Sequence, residues 1–314
     1  MHTKYKLSIC IPTYNRAKYL PELLDSILSQ PEASKVEIAI SDNASTDNTD
    51  ELIKAYQEKH VNIVYLKLAE NLGPDRNYFK AVEISSGEYA WLMGSDDKLA
   101  DGSLAQVLHE IESGKDIYLQ DRIECDINMN VIKRRSWWRS GTKENWDFSV
   151  DNLEDYFSTC TSLGGVFSFL SSIVVKKSKW NNYHPPEPYF ETAYSHVYTL
   201  LSILKNQGTM KLLNSGAVLS RGGNDHFAAE GLCKRRLIDF LGYTALSKDL
   251  KFNALSNILR SEHSVKSVSA MFLGCTSNAK VFSLLKSSNF SMFSVYTGLL
   301  ISLVRRFMLF INNK

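Results

Sequence analysis

The chain has 314 residues, 44% hydrophobic and 22% charged, with a formal net charge of +2. This composition suits a globular protein with a sizeable core, and the near balance of charge gives no ground for nucleic acid as a partner. Its five scattered cysteines (Cys10, Cys125, Cys160, Cys233 and Cys275) show no CxxC or Cys/His metal spacing and read as reduced thiols of a cytoplasmic protein, while the apolar run Leu7–Ile11 is too short for a signal peptide and no segment reaches the roughly 20 apolar residues that span a bilayer.

Leu7-Ser8-Ile9-Cys10-Ile11, stopped by Pro12, predicts a buried parallel strand. Tyr19, Leu20, Leu23, Leu24, Ile27 and Leu28 then recur at helical spacing. Val36 to Ile40 predicts a second strand ending at Ser41-Asp42-Asn43, and Asp47 to Asp50 supply caps for a helix with Leu52, Ile53 and Tyr56 on one face. Ile63 to Leu66 predicts the third strand, Asn71 to Pro74 a turn, and Tyr78 to Ile84 a third helix stopped at Ser86-Gly87. Tyr89 to Met93 predicts a fourth strand that runs into Gly94-Ser95-Asp96-Asp97. Strands alternating with helices predict a mostly parallel α/β sheet with right-handed crossovers.

Each predicted strand ends in a polar cluster, and in a parallel sheet those ends share one edge, where ligands bind. Two adjacent carboxylates repel unless a proton or cation sits between them. Asp96 and Asp97 therefore suit Mg²⁺ or Mn²⁺, which prefer oxygen ligands. The alternative is an acidic turn in which Asp97 or Asp101 caps a helix starting near Gly102. No G-x-G-x-x-G or Walker A motif follows any strand, so a nucleotide would bind without a glycine cradle.

Four motifs in this order resemble the family 2 glycosyltransferases. They are Ile11-Pro12-Thr13-Tyr14-Asn15-Arg16, Ser41-Asp42-Asn43-Ala44-Ser45-Thr46-Asp47, Asn71-Leu72-Gly73 with Arg76-Asn77, and Gly94-Ser95-Asp96-Asp97. The resemblance is strong over residues 5–120 and weak beyond. It implies a GT-A fold, in which a Rossmann-like, mostly parallel sheet is flanked by helices, with a helical C-terminal extension. It also implies an inverting, metal-dependent hexosyl- or dideoxyhexosyltransferase using a nucleotide-diphosphate sugar. On the same resemblance Pro12, Thr13, Tyr14 and Asn15 line the nucleoside pocket, and Asp42 contacts base or ribose, unless it caps the following turn. Asn71 lies near the donor, Arg76 is either the basic residue near its phosphates or sugar or a surface arginine, Asp96 lies near ribose or sugar, and Asp97 ligates the metal. Residues 1–225 form the catalytic unit, with donor binding in 1–120 and acceptor binding in 121–225; residues 226–314 are helical.

Transfer of a sugar to a hydroxyl needs a base to take its proton. In many relatives that base is an acidic pair at a helix start after a return strand. The return strand here is predicted over Phe167 to Val175, and the next helix start is Glu191-Thr192-Ala193-Tyr194-Ser195-His196, which has no such pair. Glu191 and His196 are the candidates, with Asp155 and Asp121 behind them. The run Ser220 to Phe227 contains Gly222 and Gly223 and is either a loop closing on the donor, with Arg221 on the diphosphate and His226 on the metal, or a turn capping the next helix. Lys133 to Arg139 either grips a pyrophosphate-linked lipid or sugar ring, or is a hairpin with packed tryptophans.

Residues 228–247 and 248–285 read as helices. Phe290 to Ile311 is apolar and aromatic with Arg305 and Arg306 inside it, either an interfacial anchor on the inner face of the cytoplasmic membrane or a docked helix. Tyr194-Ser195-His196 and Arg221 to Asp225 are similar to the abequosyltransferase-like branch of the family. That likeness implies a saccharide acceptor linked to undecaprenyl diphosphate and a place in O-antigen or other surface polysaccharide synthesis. A catalytically silent nucleotide-sugar-binding or scaffold subunit is the alternative.

Overall fold

The computed structural model describes residues 5–223, 232–252, 258 and 292–312. Strands β1 (Leu7–Thr13), β2 (Val36–Asp42), β3 (Ile63–Lys67) and β4 (Tyr89–Leu92) alternate with helices α1 (Leu20–Leu28), α2 (Thr49–Gln57) and α3 (Pro74–Glu83). β1 lies between β2 and β4 and pairs with both in parallel. Thr13 stands opposite Asp42, and Cys10 opposite Leu92, so the ends of these strands lie along one edge. Helix α3 starts at Pro74, four residues before the expected Tyr78, because the fixed φ of proline suits a first helical turn.

After β5 (Lys98–Leu99) and α4 (Ser103–Glu110), the chain adds β6 (Ile117–Gln120), β7 (Arg122–Cys125), β8 (Val131–Arg135), β9 (Asn145–Asp147) and α5 (Leu153–Thr159). β10 (Ile173–Lys176), α6 (Lys177–Trp180), α7 (Ser195–Lys205), β11 (Thr209–Leu213) and β12 (Val218–Arg221) follow. The main sheet has the order β3-β2-β1-β4-β10-β6-β11-β9, with β10 antiparallel to both β4 and β6. A second sheet, β5-β12-β7-β8, sets Arg221 opposite Cys125. The return strand is shorter than expected: β10 begins at Ile173, and residues 163–166 and 170–172 form 3₁₀ turns.

The pleat sorts β1 between two cores. Leu7, Ile9 and Ile11 join Leu20, Leu23, Leu24 and Ile27 of α1, while Cys10 joins the opposite cluster with Ala81, Val82, Val197, Leu200 and Leu201. Helix α8 (Leu232–Leu250) sends Tyr243, Leu246 and Leu250 into that second cluster. Helix α9 (Met292–Asn312) adds Val295, yet leaves Tyr296, Leu300, Leu303, Val304 and Met308 exposed. No helix among the described residues is long and apolar enough to cross a membrane. Most of the helix expected over 248–285 lies outside the described residues.

Candidate active site

The ends of β1 and β4 open into a cleft of about 980 Å³. Pro12, Thr13, Tyr14 and Asn71 line it, as do Asp96, Asp97 and Arg221. The sequence motifs thus meet at the expected edge. The buried hydroxyl of Thr13 has no hydrogen-bond partner, and Tyr14 is 39% exposed.

Asp97 is only 4% exposed, and two opposite parts of the chain hold it. Ser171 Oγ donates to Asp97 Oδ2 at 2.5 Å, and the Arg221 backbone N–H donates to Oδ1 at 3.1 Å. Ser171 Oγ also accepts from the Gly94 N–H at 2.8 Å, so one hydroxyl ties both ends of the acidic turn to the 168–171 wall. A Cβ on Gly94 would lie 3.1 Å from Asp97 Oδ2 and 3.3 Å from Asp96 Oδ1, which is why glycine stands under the pair. Burial and then the Asp96 charge push the Asp97 carboxyl well above the usual carboxylate range. Such a group holds a proton or a cation. Among the described residues no three His, Cys, Asp or Glu side chains converge. A divalent ion on the acidic pair would therefore take its other ligands from substrate phosphate and water, the habit of Mg²⁺-type ions.

Arg221 is a strut. Its Nε donates to the Asp96 carbonyl at 2.9 Å, Nη1 to the Ile127 carbonyl at 2.7 Å and Nη2 to Glu22 at 2.8 Å. Each guanidinium nitrogen is thus engaged within the protein, at the rim of the cleft that Arg221 also lines. Arg16, Arg122 and Arg135 line the cleft as well. Arg16 lies 3.6 Å from Asp96 Oδ2, and the Arg122 guanidinium sits 4.5 Å over Phe169 and 4.8 Å over Trp137.

Asp42 and Asn15 are displaced from the expected donor pocket. Asp42 is fully buried, with Oδ1 accepting from the Ser45 N–H and Oδ2 from the Tyr65 hydroxyl, both at 2.9 Å. It caps its own turn. Asn15 accepts from the Thr46 N–H at 2.8 Å and braces the loop after β2. Asn43 and Asn77, which carried no role in the sequence reading, do line the cleft. Asn43 donates to Asn71 Oδ1 at 2.8 Å, and Asn77 donates to the Thr13 carbonyl while accepting from Ser41 Oγ. Arg76 turns away to pair with Glu187 and to stack 4.6 Å over Phe190.

Both expected bases lie off the cleft. Glu191 is exposed at the end of the 3₁₀ turn Glu187–Glu191. His196 is 3% exposed, its Nε2 lies 3.0 Å from the Phe167 carbonyl, and burial lowers the imidazole to about 4. Tyr78, which lines the cleft, stands edge-on to its ring at 5.7 Å. Asp121 is buried between Arg134 and the Gly216 N–H, and Asp155 is exposed on α5. His226 lies outside the described residues. In the basic cluster Arg134 pairs with Asp121, Arg135 pairs with Glu124 at 2.9 Å and lines the cleft, and Trp137 and Trp138 are buried.

The family model described as glycosyl transferase family 2 matches residues 8–165. Abequosyltransferase RfbV of Salmonella typhimurium is 43% identical over 250 residues, covering 77% of this chain and 74% of that protein. Two solved structures share the fold. Residues 1–349 of S. aureus TarS in complex with UDP-GlcNAc superpose with a TM-score of 0.57 at 18% identity, covering 96% of this chain and 91% of that one. The mannosyltransferase PcManGT from Pyrobaculum calidifontis, in complex with GDP-Man and Mn²⁺, gives a TM-score of 0.57 at 15% identity, covering 97% and 80%.

Proposed function

The chain belongs to glycosyl transferase family 2, and on that footing we propose that it moves a sugar, with inversion, from a nucleotide-diphosphate donor to a hydroxyl of a lipid-linked saccharide. The observation that carries this reading is the buried acidic turn Gly94 to Asp97 at the end of β4, facing a cleft large enough for a nucleotide sugar. The similarity to an abequosyltransferase favours a dideoxyhexose donor and surface polysaccharide as the product class.

Inverting transfer is an in-line displacement at the anomeric carbon through an oxocarbenium-like transition state. Thr13 and Tyr14 present a hydroxyl and a ring to the nucleoside at the end of β1. Arg16 and Arg122 face the cleft as cations for the diphosphate. Asp97, with Asp96 beside it, would hold Mn²⁺ or Mg²⁺, which when bound offsets the charge gained by the leaving diphosphate. The Mn²⁺ and GDP-Man in the structurally similar mannosyltransferase support that assignment. The exposed apolar face of α9 supports association with the membrane surface, where a lipid-linked acceptor sits.

A thermal-shift series with UDP, GDP and CDP, each with and without Mn²⁺, tests the donor reading. Binding to the folded state alone stabilises it by about 2.7 kcal/mol at a hundredfold excess over Kd. One diphosphate with Mn²⁺ should raise the melting temperature, and Asp97→Asn should abolish the rise. No response to any diphosphate, or an undiminished response in Asp97→Asn, would sink the proposal.

A further inference from the structure

The reaction needs a proton acceptor, and the acid and the imidazole expected near α7, Glu191 and His196, are not among the residues that line the cleft. Among the described residues four carboxylates line it: Asp96, Asp97, Glu124 and Asp239. The first two form the acidic turn. Glu124 is bonded to Arg122 at 2.8 Å and Arg135 at 2.9 Å. Burial alone would raise its carboxyl, but those hydrogen bonds and charges prevail and hold it at about 2. A carboxylate that weak is a poor base for a hydroxyl.

We propose that Asp239, on helix α8, takes the proton from the attacking acceptor hydroxyl, an assignment that rests on the glycosyl-transfer reading above. Its position follows from two anchored contacts. The Tyr194 hydroxyl, at the start of α7, donates to Asp239 Oδ1. Tyr243 lies one helical turn further along α8, on the same face, and its hydroxyl donates to the Val166 carbonyl at 2.7 Å. Val166 lies two residues before the segment Ser168 to Ser171 that lines the cleft, and Ser171 holds Asp97. Asp239 and the acidic turn thus line one cleft, each tied to the same stretch of chain, Val166 to Ser171. A displacement in line needs its proton acceptor and its leaving group at opposite ends of the reacting sugar.

In the step itself the acceptor oxygen bonds to the anomeric carbon while the bond from that carbon to the diphosphate breaks. The electron pair leaves with the diphosphate. The hydroxyl proton passes to Asp239 and from there to solvent, and nothing is oxidised or reduced. Tyr194 is a positioning residue: its hydrogen bond sets the carboxylate's orientation. The ring itself seats against α8, since a Cβ on Gly242 would lie 2.5 Å from Tyr194 Cδ2.

The test uses the full chain and a sugar linked to whichever of UDP, GDP or CDP binds best. Release of nucleoside diphosphate is measured with water as acceptor, and again with sodium azide, an anion that carries no proton to remove. Asp239→Asn should lower release to water by about 10²–10⁴-fold while melting temperature and diphosphate binding stay at wild-type values. Azide should restore release and yield the glycosyl azide. Release within threefold of wild type, or a loss that azide fails to restore, would overturn the assignment. A wild-type chain that binds no diphosphate at all would overturn it together with the donor reading, so the two failures are distinct.

Discussion

At the scale of single residues, this cleft is organised by which charges are already spoken for. Arg221, Arg134 and Arg76 carry the cations that stand out in the sequence, yet each is bound to protein oxygens. Arg16 and Arg122, paired with Asp96 and Glu124, are among the cations that line the cavity. Glu124 is the acidic counterpart, bonded to Arg122 and Arg135 and 3.6 Å from Lys133. Because its folded carboxyl sits near 2, below the ordinary glutamate value of about 4.3, its stabilising effect is complete above that ordinary value. The effect is lost as pH falls through the folded value. Urea titrations of wild type and Glu124→Gln should therefore show the variant less stable at pH 6, with the gap closing between about pH 4.5 and pH 2. A gap that is constant with pH would remove the charge from the explanation.

At the scale of elements, α8 brings Asp239 to the cleft and α7 packs behind it. Asp75, at the start of α3, accepts from the backbone N–H groups of Ala193 and Ser195 and from Ser195 Oγ, and so pins the start of α7 to the donor half. Burial raises the Asp75 carboxyl, and those hydrogen bonds oppose the rise. Helix α8 then docks on α7 through Tyr194, whose ring packs 4.7 Å from that of Tyr243. Gly242 permits that approach. Gly242→Ala forces a methyl into the Tyr194 ring, and overpacking of this kind costs about 1–3 kcal/mol. Hydrogen exchange should show faster exchange in α8 with protection in β1 and β4 unchanged. Uniform loss of protection would mean that α8 belongs to the same cooperative unit as the sheet.

At the scale of the whole molecule, α9 joins the proposed membrane face to the catalytic core. One side of the helix packs Val295 and Leu299 against the core that also holds α8. The other side exposes Leu300 at 63% and Val304 at 54%, four residues apart on one face. Replacing both with glutamate should reduce co-sedimentation with anionic phospholipid vesicles at least tenfold, since each buried apolar side chain contributes about 1.5–3 kcal/mol. Donor binding should be unchanged. Equal sedimentation of the variant and wild type would place the acceptor lipid elsewhere on the protein.

The alternation of apolar strands and amphipathic helices determined the α/β fold, because a period of two or 3.6 residues is a local property. It also determined the edge on which Pro12, Thr13, Asn71 and Asp97 meet, since a parallel sheet brings strand ends together wherever the strands lie in the chain. The partners of charged groups were not legible. Arg221 reaches Glu22 across 199 positions, and Asp42 spends its oxygens on Ser45 and Tyr65. The base was hidden for the same reason: Glu191 and His196 sit at the expected helix start, yet one faces outward and the other is sealed under Tyr78. Only the tertiary structure brought Asp239 of α8 to the cleft, because helix docking is decided by long-range packing between Tyr194, Gly242 and Tyr243 that no local pattern encodes.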